Sequence, residues 1–362
     1  MPESLTCRYS KLLEYVSRKG YAGRVGMGSG VSQSNPTSEG ILTVSLDFEL
    51  IWGTLDLFGP RRFGAACMIE RQVVIDRLLA LFEELDIPAT WCIVGHLLLD
   101  RCETVNGVKH PEIVRPKHKW CRADWFAHDP CGDLNSEPLF FGRDLVDRIM
   151  ACSAHQEIGC HSFSHVIFGD DGCSRASAES EVAACVKIAN EMGIVLRSFA
   201  FPRNEVGHLD LLKQYGFTCY RGPEPNWYES ARIPQSLRRV ARLLEVVTAS
   251  TPPVVLPYKT ESGLWNIPGS TIYFPRHGFR RFVPTQLRVR KALKGLAEAA
   301  RCSRVFHLWF HPTNLADGMD AMFAGLSKIL GHAADLRRRG ELQILTLGQI
   351  AERCESGLTG TA

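Results

Sequence analysis

The sequence has no apolar run approaching the roughly 20 residues that cross a bilayer as a helix, so no such span is expected. No Cys-x-x-Cys pair occurs, and the 13 cysteines are odd in number and irregularly spaced. That argues against a secreted disulfide framework and leads us to expect a reducing, cytoplasmic setting. No Gly-x-Gly-x-x-Gly follows a strand-like run; GMGSG at Gly26–Gly30 precedes every strand candidate, which weakens a dinucleotide-binding reading. Neither sign of charge dominates: 42 basic and 39 acidic residues leave +3. Nothing there demands nucleic acid or an anionic membrane as partner. Met1–Ser38 carries basic residues but no apolar core of the kind a secretory signal needs, so none is expected.

What is present is an ordinary globular composition, 45% apolar and 22% charged over 362 residues. GMGSGVSQSNPTSEG at Gly26–Gly40 is linker-like, so residues 1–39 are expected to be a tail. The catalytic unit is expected over 40–356, with a short C-terminal tail at 357–362. Ile41–Leu46, Ala89–Val94, Glu157–Cys160, Ser198–Phe201, Phe217–Arg221, Leu264–Ile267, Val305–Phe310 and Leu342–Leu347 are strand candidates. Helical segments separate most of them: Met68–Leu85, Ala176–Met192, Leu209–Tyr215, Pro234–Ala249, Thr285–Ala300 and Asp320–Arg339, with a last short one at Gln349–Glu355. Strand, helix, strand in repetition predicts parallel pairing and an α/β barrel, closed or nearly so. Residues 99–145, rich in Pro, His, Trp and Cys, interrupt the alternation and are expected to wall the active site. Within them Cys121, Cys131, His118 and His128 offer a conceivable zinc clip, although their spacing matches none of the usual closed sites.

The informative pattern is positional. Ionisable residues cluster where strands end: Asp47 and Glu49, His161 and His165, Arg203, His311. In a parallel barrel these ends share one rim. HSFSH sets His161 and His165 four apart, so on a helical turn both imidazoles face one ion. Taken alone, that spacing is as compatible with two structural histidines. Asp47 and Glu49, two apart, face one side of an extended strand. Two histidines and one carboxylate leave a divalent ion open to water and a substrate oxygen; the other carboxylate can act as base. His311 is the candidate acid and Arg203 the residue that orients the base or holds a substrate oxygen, while His307 reads as a satisfied core histidine.

SLDFE at Ser45–Glu49, ATWCIVG at Ala89–Gly95, EIGCHSFSH at Glu157–His165, FAFPRNEVGH at Phe199–His208 and HLWFHP at His307–Pro312 carry a family resemblance. In order and spacing the chain resembles the polysaccharide deacetylases, the NodB-type carbohydrate esterases. The resemblance implies a deformed (β/α)7-type barrel, one zinc-like divalent ion, and removal of an acyl group, usually acetyl, from an amino sugar. It implies Asp47 as base, Glu49, His161 and His165 as metal ligands, His311 as acid and Arg203 as the residue that tunes the base. Two departures stand out. The usual adjacent Asp-Asp is replaced by Asp47-Phe48-Glu49, which leaves a swap of roles between the two carboxylates open, and Arg203 follows its proline instead of preceding it. Such departures resemble a branch associated with surface-polysaccharide biosynthesis.

Trp125, Asp129 and Trp265 are the candidate sugar-binding residues, because aromatic faces suit sugar rings and polar groups suit hydroxyls. Two other readings keep part of this site. One is an amidase acting on a non-sugar amide or imide; the other is a glycan-binding relative without turnover.

Overall fold

The computed structural model describes residues 39–225, 244–245, 247–276 and 278–359. The N-terminal tail, most of the helix expected over Pro234–Ala249 and the last three residues lie outside them.

The chain builds one curled sheet. Its central strand β1 (Gly40–Phe48) is buried along its whole length, which is why it reads as a nearly continuous apolar run. The strands that follow are β2 (Ala89–Ile93), β3 (Arg101–Cys102), β4 (Thr104–Val105), β5 (Val108–Lys109), β6 (Gly132–Asp133), β7 (Gln156–Cys160), β8 (Ser198–Ala200) and β9 (Cys219–Arg221). Then come β10 (Tyr258–Lys259), β11 (Trp265–Asn266), β12 (Thr271–Ile272), β13 (Val305–Phe310) and β14 (Leu342–Ile344). The order across the main sheet is β10-β11-β9-β8-β7-β2-β1-β13-β12, parallel except for β10. Strand β1 pairs with β13 from Ile41↔Val305 to Leu46↔Phe310. On its other edge β14 takes Gly40–Leu42 and β2 takes Ser45–Phe48, so the sheet splays around β1.

The run Trp265–Ile272 joins the two ends of the sheet. Its first half, β11, pairs with β9 and its second half, β12, with β13. Gly269 N–H donates to Gly222 and Ser270 N–H to His307. The outcome is the deformed barrel the resemblance implied.

The helices are α1 (Trp52–Phe58), α2 (Gly64–Ile69), α3 (Ile75–Leu85), α4 (Arg143–Met150), α5 (Arg175–Glu191) and α6 (Leu209–Gln214). After the undescribed stretch come α7 (Thr285–Cys302), α8 (Met319–Arg338) and α9 (Leu347–Thr359). The helix expected over Met68–Leu85 is the tail of α2, a π-helical turn at Glu70–Val74, and α3. Helix α5 starts where the Ser174 hydroxyl accepts from Ser177 N–H, satisfying one of its free donors. The insertion is not structureless: β3 pairs with β6 and β4 with β5 as two small antiparallel ribbons.

Below the rim the interior is not wholly apolar. His307, on β13, is fully buried between Ser45 Oγ at 2.8 Å and the carbonyls of Ile267 and Pro268 at 3.2 Å. Burial and then the Arg221 charge push its pKa from 6.5 down to about 3. The native chain therefore refuses a proton that the unfolded chain binds between these two values. Stability falls as pH drops through that window, by up to about 1.4 kcal/mol per pH unit. His307→Gln is expected to lower stability at neutral pH yet flatten this acid dependence. Denaturant unfolding at neutral pH and near pH 5 measures both; equal slopes in the two proteins would refute the assignment.

Candidate active site

Four strands deliver the site to one rim: β1, β7, β9 and β13. Asp47 is still within β1 and Glu49 follows its end, both buried. They do different things. Asp47 is clamped by Arg221, whose Nη1 donates to Oδ1 at 2.6 Å and Nη2 to Oδ2 at 2.7 Å. Arg221 also donates to Ser45 Oγ and Asn204 Oδ1, both at 3.2 Å. Its guanidinium lies 4.3 Å over the Trp309 ring. Burial works against an ionised Asp47, but Arg221, with His161 and His311, brings its pKa below the usual carboxylate value.

Glu49 instead faces the histidines. Its Oε1 lies 2.9 Å from His161 Nε2, 3.3 Å from His165 Nε2 and 3.4 Å from His311 Nε2. Burial opposes its charge, yet His311 and His165 hold it well below the usual range. His161 Nδ1 sits 2.7 Å from the Ala200 carbonyl, which can only accept. The proton of a neutral ring is therefore on Nδ1, and Nε2 turns a lone pair toward Glu49. The Glu49, His161 and His165 donor atoms all fall within 4.8 Å of one another, and His165 Nδ1 is buried without a partner. Two imidazoles and a carboxylate converging in a buried pocket, one imidazole with its Nε2 lone pair turned inward, are the donor set a divalent cation satisfies.

The histidine motif is not a helical turn. Ser162 and His165 adopt left-handed backbone, φ 59° and 62°. The loop is held by Glu181 of α5, which accepts from Phe163 N–H and Ser164 N–H at 2.8 Å and from Ser164 Oγ at 2.5 Å. The two imidazoles still meet, with ring centroids 5.2 Å apart. His311 stands opposite, its Nε2 3.8 Å from Asp47 Oδ2 and the ring partly exposed. Burial pulls its pKa down, but Glu49 and Asp47 outweigh that and raise it to about 9.

Several expected residues lie elsewhere. Arg203 does not reach Asp47; it pairs with Asp56 of α1 and stacks 4.8 Å over Trp120 at the rim. Arg221, which ends β9, occupies the place expected of it. Asp129 is fully buried inside the insertion, bonded to His110 and to Cys131 N–H, so it faces no substrate. Trp265 is buried on β11 with Nε1 on Glu355 of α9 at 2.8 Å, because it pairs with Cys219, two residues short of the rim. Trp125 does border the site: its Nε1 donates to Ser164 Oγ at 2.9 Å, on the histidine loop. Trp309 and Glu70 were not anticipated. Trp309 packs on Arg221 and donates to Glu224 at 2.8 Å. Glu70, buried on the π turn, has its pKa pushed well above the usual carboxylate value by burial and by the Glu49 charge. It lies four residues before Val74, on the apolar stripe, a signal that a polar group enters the core there. Among the described residues the clip of Cys121, Cys131, His118 and His128 does not form. His118 turns to Asp170 at 2.8 Å.

No family model and no curated protein matches the chain. Solved structures do. One is a protein assigned as a polysaccharide deacetylase from Mycobacterium smegmatis, with TM-score 0.59 and 12% identity over 91% of this chain and 96% of that one. Another, so assigned from Pseudomonas aeruginosa PAO1, gives 0.53 and 12% over 86% and 90%. Puue allantoinase gives 0.56 and 12% over 91% and 95%. The chain has the NodB-like fold that these deacetylase structures and the allantoinase share.

Proposed function

We propose that the chain is a metal-dependent hydrolase that removes an N-acyl group, acetyl in the first instance, from an amino sugar during polysaccharide or glycan biosynthesis in the cytoplasm. One observation carries this reading. A three-donor pocket (Glu49, His161, His165) lies beside a carboxylate held by an arginine and faces His311 across 3.4 Å.

Glu49, His161 and His165 would hold a divalent cation, zinc by the nature of the donors. The chemistry such a cation would supply there is Lewis acidity toward an acyl oxygen and toward water. The rest is the work of the chain's own groups. Asp47, kept ionised and oriented by Arg221, accepts the proton of the attacking water. His311 carries a proton at neutral pH and gives it to the nitrogen as the C–N bond breaks, so that acid and free amine leave. Trp125, with the Trp120 ring edge-on to it at 6.1 Å between centroids, offers an aromatic surface to a sugar ring. The Puue allantoinase likeness keeps a cyclic amide as the second substrate class to be tried.

Purified protein loaded with zinc, offered N-acetylated sugars free, nucleotide-linked and oligomeric, is expected to release acetate. Chelation should abolish release and zinc should restore it. Turnover of cyclic amides alone would move the assignment away from sugars. Metal binding with no turnover of either class would favour a glycan-binding role.

The assignment of Arg221 has its own test. Arg221→Gln is expected to reduce kcat by about a hundredfold or more and to shift the acid limb of the pH profile upward, because Asp47 loses the charge that keeps it ionised. Arg203→Gln is expected to leave kcat near that of the wild type. The reverse pattern would return the role to Arg203.

A further inference from the structure

A second cluster of metal-ligating side chains lies inside the insertion. His96 follows β2; Cys102, His110 and Asp129 come from the insertion itself. All four are buried, and their donor atoms lie within 4.8 Å of one another. His96 Nε2 is 3.2 Å from His110 Nε2 and 3.6 Å from Asp129 Oδ2. His110 Nε2 is 2.9 Å and Cys102 Sγ 3.8 Å from the same Oδ2. A tetrahedral zinc with bonds of about 2.0–2.3 Å sets its donors about 3.3–3.6 Å apart. The four separations bracket that range.

The surroundings fix which atoms face inward. His96 Nδ1 is 3.0 Å from the Phe140 carbonyl, so its proton lies there and Nε2 is bare in the neutral ring. His110 Nε2 is the nitrogen that donates to Asp129 Oδ2 in the ion-free cluster, and its Nδ1 faces Glu112 Oε1 at 3.4 Å, where the ring proton can move when a cation takes the place of the donated one. Asp129 Oδ1 accepts from Cys131 N–H at 2.9 Å, and Oδ2 points into the cluster. Two imidazole nitrogens, a carboxylate oxygen and a thiol thus meet in one buried space, where only the protons on His110 Nε2 and Cys102 stand in the place a cation would take. Among the described residues, the ion-pair partners of the Asp129 carboxylate are these two histidines alone. Ligands backed by a carbonyl, a carboxylate and a backbone N–H are characteristic of built metal sites.

We propose that His96, Cys102, His110 and Asp129 bind a structural zinc ion that fastens the insertion to the end of β2. Two nitrogens, one sulfur and one oxygen in a closed tetrahedral set suit zinc, and their burial leaves no open position for chemistry. The ion displaces the Cys102 proton to solvent and holds the thiolate. His96 is the only ligand outside the insertion, and the Trp52 ring packs on it at 4.4 Å between centroids. The ion therefore ties the wall that carries Trp125 to the barrel.

Cobalt substitution separates this site from the catalytic pocket, because a cysteine stands in this donor set and in neither of the groups at the rim. Full-length protein stripped of metal and loaded with cobalt is expected to show a near-ultraviolet thiolate-to-cobalt charge-transfer band and the strong visible bands of a four-coordinate ion. His165→Ala should keep the near-ultraviolet band; Cys102→Ser should lose it. Zinc content should fall by about one ion per chain in Cys102→Ser and in His110→Ala. A cobalt-loaded wild type without the charge-transfer band overturns the proposal, and so does a band that survives Cys102→Ser. The wild-type spectrum needs no variant to fold, and its outcome is independent of acetate release.

Discussion

The buried pair between Asp47 and Arg221 is the constraint on which the rest of the rim depends. A guanidinium and a carboxylate withdrawn from water cost free energy unless their geometry is good and their remaining donors are met. Here two parallel hydrogen bonds of 2.6 and 2.7 Å give the geometry, and Ser45 and Asn204 take further N–H groups, so that of the guanidinium nitrogens Nε alone is buried without an acceptor. Strands β1 and β9 are not neighbours in the sheet, so the pair spans the barrel mouth. It also divides labour between the carboxylates. With Asp47 committed to Arg221, Glu49 alone is left to face His161 and His165. That is a physical reason for a carboxylate two residues along instead of one.

Much of this was legible in the sequence, for a definite reason. β1, β2 and β13 are buried on both faces, so they appear as apolar runs, and the ionisable residues at their ends announce the rim. Two-residue strands such as β11 and β12 carry no such signature, because only their partners make them strands. Arg221 was readable by the same strand-end rule, since it closes the run Phe217–Arg221. Chain order cannot say which of two arginines crosses the mouth, and the left-handed turn through Arg203 and Asn204 sends Asn204, not Arg203, inward. The four-residue spacing of His161 and His165 signalled proximity correctly but not the backbone that achieves it. That backbone depends on Glu181, sixteen residues beyond His165.

Asp129 was misplaced for another reason. A polar residue in an aromatic-rich loop is equally suited to sugar binding and to a buried network. Only the folded chain shows His96 arriving from β2 to meet it. The insertion has its own polar interior, enclosed by Phe126, Phe140, Phe141 and Phe163, which makes it a small folded body and not a loop laid over the barrel.

The run Trp265–Ile272 has a mechanical meaning. One short length of chain acts as the clasp of the barrel, gripping β9 on one side and β13 on the other. Arg221 sits at the tip of β9 and His311 just past the tip of β13, so the clasp joins the two strands that carry them. At its middle is Gly269, where a methyl group would come within 3.1 Å of the Trp309 indole nitrogen. The indole on which Arg221 rests is thus seated against a residue without a side chain, 48 positions beyond that arginine in the sequence.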